Sequence, residues 1–447
     1  MDEPFTDAER FPLLTDAGRR MLQRLREHPH APNYNYRVGE RLTAPALARV
    51  RAYADRLRAG RRGWAFGEVP AWVGELVARC RREAPFYRDH LAGHGDDFFA
   101  LPTTRREHLR RSAWAFVPVS ADLNELVTYT TSGTTGERLR LPAHPEAPNR
   151  YLPLIETALA AFGVSLRGGE RVSVVQVGYQ SRTFTLASVM SYLDAAGFAK
   201  VNLSPADWRD PDDRVRFLDD CDPEIYTGDP IAFAELARLP LRARPKALVS
   251  SATALRPGLR RRLEEHFGCP VVDVYSMNES GPVSFGRGDA HEVLPHDLYV
   301  EILDENGRPC PPGVRGEITL TGGCNPYLPL VRYRTGDFAA LDFAEPIPRL
   351  MGLEGRPPVV FQAADGRRFN SIDASIALRE LPLAFLCLRQ AADGSLHFRT
   401  RCDDATRAAA EAALRRLFGG LPLAVEVVPD GETWEGKPIQ YGSELEP

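Results

Sequence analysis

Ala247-Leu248-Val249-Ser250-Ser251-Ala252 opens the stretch that decides the fold. Its apolar start has the length of a strand, a helical segment from Pro257 to Phe267 follows, and a second apolar run spans Val271 to Val274. The same alternation reaches upstream to Val172 to Val177 and Val201 to Leu203. Short apolar runs alternating with helical stretches predict an α/β fold of parallel strands covered by helices. Ligands in such sheets collect outside the C-terminal ends of the strands, so chemistry is expected in the loops after Val177, Val249 and Val274.

Working outward, short β-like runs between Asp297 and Leu341 (Leu298 to Leu303, Glu317 to Thr321, Phe338 to Leu341) are separated by Gly and Pro turns and predict a β-rich subdomain. After Gly352 the order is strand (Val359 to Gln362), helix (Ile372 to Arg379), strand (Phe385 to Arg389), strand (Leu396 to Arg399), helix (Ala405 to Phe418), strand (Ala424 to Val428). That order is a small α+β, split βαβ unit able to fold separately. Upstream, Leu47, Val50, Tyr53 and Leu57 share one helical face, and a second helix from Trp72 to Arg82 runs into Pro85-Phe86-Tyr87-Arg88. The expected organisation is a helical N-terminal extension over 1–70 with no assigned function, a large domain over 71–354 and a small mobile domain over 355–447, with the boundary near Gly352 to Pro358.

The chain has 447 residues, 43% of them hydrophobic, enough for a large core. A net charge of −4 leaves no basic footprint for nucleic acid or an acidic membrane, so a small-molecule partner is expected. No basic-then-apolar leader follows Met1, and no run has the uninterrupted apolar length of a membrane span, so a cytoplasmic location is expected. The seven cysteines, scattered without a C-x-x-C pair, predict neither a disulfide framework nor structural zinc; His291, His296, Cys310 and Cys324 lack ligand spacing. The only lysines are Lys200, Lys246 and Lys437, so each merits scrutiny.

Tyr129-Thr130-Thr131-Ser132-Gly133-Thr134-Thr135-Gly136 packs hydroxyls and glycines into one turn after Leu126-Val127. Hydroxyls and open backbone N–H groups donate to phosphate oxygens, and glycine allows close approach, which suits a phosphate-gripping loop. It is not a Walker A loop, since the Gly-Lys-[Ser/Thr] ending is absent. A Ser/Thr/Gly linker has the same composition, and that reading stays open at this point.

Thr131-Ser132-Gly133-Thr134-Thr135-Gly136 resembles the phosphate loop of the adenylate-forming superfamily of acyl-CoA synthetases, adenylation domains and luciferases. Ser250-Ser251-Ala252 is similar to that family's adenine-contacting turn, and Tyr275-Ser276-Met277-Asn278-Glu279 to its Tyr-Gly-x-Thr-Glu segment. Tyr333-Arg334-Thr335-Gly336-Asp337 matches its Tyr-Arg-Thr-Gly-Asp segment, and Gly355-Arg356 with Gly436-Lys437 looks like its C-terminal pair. Within the superfamily the layout resembles phenylacetate-CoA ligases, which place a Pro-Phe-Tyr-Arg turn ahead of the phosphate loop, as at Pro85 to Arg88. The resemblance runs from about residue 70 to the C-terminus.

It implies an ATP- and Mg²⁺-dependent enzyme that joins a carboxylic acid to AMP, releases pyrophosphate and passes the acyl group to coenzyme A. Attack of a carboxylate on the α-phosphorus brings two anions together, so metal and cationic donors must be in place beforehand. The resemblance assigns the phosphates to Thr131, Ser132, Gly133, Thr134, Thr135 and Gly136, with Thr134 a catalytic donor, and Mg²⁺ to Glu279, a hard oxygen ligand. Ser251, Ala252, Tyr275 and Ser276 would face adenine, Asp337 the paired ribose hydroxyls, and Arg356 the ribose or phosphate. Lys437 would neutralise the charge developing between phosphorus and carboxylate, a role whose loss typically costs about 3 kcal/mol of transition-state stabilisation.

In that family the loop after Val172 to Val177 lines the acyl pocket; here it carries Tyr179, Arg182 and Phe184, which suit an aryl or arylalkyl acid with a polar or acidic substituent. Arg182 pointing to solvent is the plainer alternative. Two features depart from the family: Glu137-Arg138-Leu139 continue the phosphate loop, and Pro357-Pro358 follow the hinge, where fixed φ restrains rotation. The proline pair weighs against the rotation that thioester formation needs, so adenylation is the firmer expectation; the resemblance alone implies coenzyme A as the acceptor, with a carrier-protein thiol or a nitrogen nucleophile as alternatives. A non-catalytic nucleotide-binding relative and an enzyme adenylating a hydroxyl are competing readings.

Overall fold

The structure, a computed structural model, describes residues 5–60, 63–130, 139–294, 297–355, 359–434 and 438–445. One sheet holds twelve strands in the spatial order Leu298–Leu303, Gly316–Gly322, Leu330–Asp342, Arg349–Gly355, Ala290–Val293, Gly281–Arg287, Val271–Met277, Ala247–Ser251, Ile225–Gly228, Val172–Gly178, Ala196–Asn202, Leu186–Met190. The five strands from Val271–Met277 to Ala196–Asn202 run parallel, as the alternation predicts. Leu186–Met190 closes the edge antiparallel to Ala196–Asn202. The β-rich segment continues the same sheet rather than forming a layer of its own. The cause is Val271–Met277, which hydrogen-bonds in parallel to Ala247–Ser251 on one side and antiparallel to Gly281–Arg287 on the other.

Two cores follow from the alternation of side chains across this sheet. On one face Leu154, Ile155, Ala158 and Leu159 of helix Glu146–Ala160 pack on Val174, Ile225, Val249, Val272 and Val274. On the other, helices Asp213–Cys221, Pro230–Leu236 and Pro257–Phe267 cover Val175, Val177, Val201, Tyr226 and Leu248. Each fully buried Leu, Val or Phe contributes about 1.5–3 kcal/mol to holding these layers together. Helix Asp16–Arg26, capped by Thr15, joins this second core through Met21, Leu22 and Leu25. It lies so close to the edge that a Cβ on Gly197 would stand 2.8 Å from Met21 Sδ.

The antiparallel half is tied to the N-terminal segment by Arg332, which is 1% exposed. Its guanidinium donates to the carbonyls of Phe99 (2.7 Å), Leu101 (2.6 Å) and Gly307 (3.2 Å) and pairs with Glu301 at 3.2 Å.

The C-terminal sheet has the order Leu423–Val427, Leu396–Thr400, Leu386–Gln390, Tyr441–Ser443. Val360–Gln362, the first strand of the expected split unit, instead pairs with Arg368–Asn370 around a turn in which Gly366 takes φ +85°. Its place in the sheet goes to Tyr441–Ser443, parallel to Leu386–Gln390. The Gln390 side chain bridges the gap, accepting from Gln362 N at 2.9 Å and donating to Gln362 O at 2.8 Å. This unit docks on helix Pro257–Phe267, where Gly258 N donates to Arg379 O at 3.2 Å. Only a glycine fits, since an added Cβ would lie 2.1 Å from Glu380 O.

Candidate active site

At the C-terminal ends of the parallel strands, Ser251 and Ser276 are joined by Tyr151 of helix Glu146–Ala160. The Tyr151 hydroxyl donates to Ser276 Oγ at 3.0 Å and also engages the Ser251 side chain. The next residue, Ala252, is exposed with φ +76°, a left-handed conformation that a Cβ-bearing residue adopts at a cost of about 1 kcal/mol or more. Such strain is held where the surrounding fold requires it, and here it presents backbone at a strand end.

Tyr275 and Asp337 lie four strand positions apart in the sheet. At roughly 4.8 Å per strand a flat sheet would separate them by about 19 Å. Instead the Tyr275 hydroxyl donates to Asp337 Oδ2 at 2.7 Å. The antiparallel half therefore curls back on itself, helped by register shifts between Tyr275 and Ser276 and between Phe338 and Ala340. Around the curl, Gly336 adopts φ +82° and donates its N–H to Glu317 Oε1 at 2.9 Å. Arg334 is buried against Glu317 at 2.6 Å, a structural brace for the turn that presents Asp337.

Glu279, 4% exposed, accepts from Tyr333 at 3.4 Å and from Arg106 Nη1 at 3.1 Å. Burial raises its carboxyl above the ordinary range; Arg106 works against that shift and the charge of Asp337 adds to it. Tyr275 is likewise pushed up by burial and by Asp337. The charge of Asp337 thus reaches the buried carboxyl of Glu279, a repulsion that a divalent cation would relieve. Carboxylate oxygens are the donor type that would suit Mg²⁺, and among the described residues no three His, Cys, Asp or Glu gather into a cage.

Thr131, Ser132, Gly133, Thr134, Thr135, Gly136, Arg356 and Lys437 lie outside the described residues. The structure brings together Ser251, Ser276, Tyr275, Asp337 and Glu279, and does not gather the expected acyl-pocket residues. Tyr179 is buried under Arg401 of the C-terminal unit, 5.4 Å from the ring centroid. Phe184 is 61% exposed and packs on Tyr36 at 4.9 Å, and Arg182 is exposed. Loop 179–184 serves docking instead: Ser181 N donates to Trp434 O at 3.1 Å, and Arg401 also covers Trp434.

Sequence reasoning missed Arg106, Tyr151 and Tyr333. Arg106 reaches Glu279 because Thr104 pairs with the strand, accepting from Arg334 N at 2.8 Å and donating to Arg332 O at 2.9 Å. No local pattern marks that crossing. Tyr333 sits inside a motif already singled out and was open to discovery through its parity with Thr335 and Asp337.

A sequence profile of the AMP-binding enzyme family matches residues 183–325. The phenylacetate-coenzyme A ligase of Pseudomonas putida is 25% identical over 297 residues, 61% of this chain and 66% of that ligase. The phenylacetate-coenzyme A ligase of Aromatoleum evansii is 25% identical over 313 residues, 63% of this chain and 68% of that ligase. A crystal structure of 2-hydroxyisobutyryl-CoA ligase in the postadenylation state superimposes with TM-score 0.61 at 20% identity, covering 89% of this chain and 90% of that one. Among the described residues no helix is long and apolar enough to cross a membrane.

Proposed function

This chain belongs to the adenylate-forming superfamily, and we propose that it uses ATP and Mg²⁺ to convert a carboxylic acid into its acyl-adenylate, with release of pyrophosphate and transfer to coenzyme A. The observation that carries this reading is the 2.7 Å contact between Tyr275 and Asp337 beside buried Glu279, which unites two sequence motifs 62 positions apart. Tyr275 presents a ring to adenine while its hydroxyl aims Asp337 at the ribose hydroxyls. Ser251 and Ser276, fixed by Tyr151, present polar edges at the strand ends.

Bound Mg²⁺ would supply charge neutralisation at the phosphates. Glu279 would hold it, and Arg106, paired with that carboxylate at 3.1 Å, opposes the upward shift that burial imposes and aligns the group. Thr134 and the loop around it grip phosphate in this reading, and Lys437 donates to the oxygens on which charge builds. The phenylacetate ligase relatives support an aryl or arylalkyl acid.

ATP–pyrophosphate exchange across aryl and alkyl acids, run with and without coenzyme A, tests the proposal. Acid-dependent exchange and a thioester product are expected. Exchange that no acid stimulates would remove the activity, and exchange without thioester would move the acceptor to a carrier thiol or nitrogen nucleophile.

A further inference from the structure

Parallel strands covered on both faces are ordinarily continuous apolar runs. One row of this sheet is not. Lys200 stands opposite Gln176, and Gln176 opposite Thr227, so three polar side chains lie in register across three neighbouring strands. Alternation places them on the face that carries Phe198, Val174 and Ile225, beneath helix Glu146–Ala160. The same face carries Ser251, reached from Thr227 by one strand and one step, since Thr227 pairs with Val249. The row thus shares a sheet face with Ser251, which stands at a nucleotide-facing strand end.

All three side chains are half-buried, and among the described residues none forms a side-chain hydrogen bond or ion pair. The contrast with Lys246 is direct: its ammonium bonds Glu224 at 2.6 Å and Ser165 O at 2.8 Å. Burial alone shifts the Lys200 ammonium, downward, with no anion facing it. A half-buried ammonium that faces no anion is unfavourable, and such departures from folding logic concentrate where ligands bind. The row offers the Lys200 ammonium, the Gln176 amide and the Thr227 hydroxyl, a surplus of donors that calls for a group made only of acceptors.

We infer that Lys200, Gln176 and Thr227 form a subsite for a second carboxylate at the far end of the acid, so that the substrate is a dicarboxylic acid activated at its other carboxyl. The inference rests on the acid-activating function proposed above and names the class of acid. Lys200 lies three strands from Ala247–Ser251, about 14 Å across the sheet, so the row is set apart from the strand end assigned to adenine while sharing its face.

Exchange assays on matched pairs test it: phenylacetate against its para-carboxymethyl derivative, and hexanoate against adipate. The diacid of at least one pair is expected to have the higher kcat/KM by about tenfold or more, the scale of a charge-assisted hydrogen bond. Lys200→Met is expected to erase that ratio and Lys200→Arg to keep it. Preference for the monoacid in both pairs, or a ratio unchanged by Lys200→Met, overturns the subsite while leaving acid activation standing. Absence of exchange with every acid overturns both. The wild-type comparison decides even if a variant fails to fold.

Discussion

Replacing Tyr275 with phenylalanine isolates the contact on which the nucleotide site depends. The ring remains, so stacking on adenine and the packing beside Met277 are kept, and only the hydroxyl that donates to Asp337 at 2.7 Å is lost. A hydrogen bond to a charged acceptor has a net value of about 2 kcal/mol. If all of it serves to hold the carboxylate in its ribose-facing pose, the KM for ATP rises by roughly 30-fold, since 1.4 kcal/mol is a factor of ten. The carboxylate in Tyr275→Phe is free to turn toward water, and re-ordering it falls on the binding step. Because the loss is shared by ground and transition states, kcat at saturating ATP should change little. The assay is pyrophosphate exchange as a function of ATP, with the melting curve as a fold control. A folded variant whose KM for ATP stays within about twofold of wild type would refute the coupling of Tyr275 to Asp337.

Arg106→Met removes the cation beside Glu279, whose carboxyl burial already holds above the ordinary range, so the acidic limb of the pH–rate profile should move to higher pH. An unmoved limb would argue against Glu279 as the metal holder. Glu40, which accepts from Ser191 N on both oxygens, is pushed up by burial to about 7. A raised carboxyl favours the folded state while protonated, so its stabilisation is complete below its ordinary 4.5 and is lost as pH rises through about 7. Glu40→Gln should flatten that decline in denaturant titrations. Arg332→Met should cost about 3–5 kcal/mol by leaving Glu301 buried without its cation, a loss readable as a collapse in melting temperature.

Much of this arrangement was legible before any coordinates. The strands after Arg171 announce themselves because parallel strands buried on both faces must be apolar, and the motifs at Tyr275 and Asp337 carry residue types suited to a nucleotide. Ile225–Gly228 escaped because its four residues include Tyr226 and Thr227, too short and mixed for a run to stand out. Val360–Gln362 was assigned to the wrong partner because strand order along a chain does not specify pairing, and an Asp-Gly turn closed a hairpin first. The acyl-pocket residues were chosen by loop position, whereas docking of the C-terminal unit decides what Tyr179 touches. Lys200 was noticed only as a rare residue type. Its significance needs the register that sets it beside Gln176, a relation between positions 24 apart that no window along the chain contains.

The curl that brings Tyr275 to Asp337 is transmitted through Gly281–Arg287, Ala290–Val293 and Arg349–Gly355, none of which faces a nucleotide in the arrangement drawn above. The spacing between the two gripping residues is therefore the accumulated twist of an intervening ribbon. A bulkier side chain on Ala290, or a bulge repaired near Ala340, would widen or narrow the jaw by changing that twist. Drift in ATP affinity among homologues can then originate in strands that never meet the ligand.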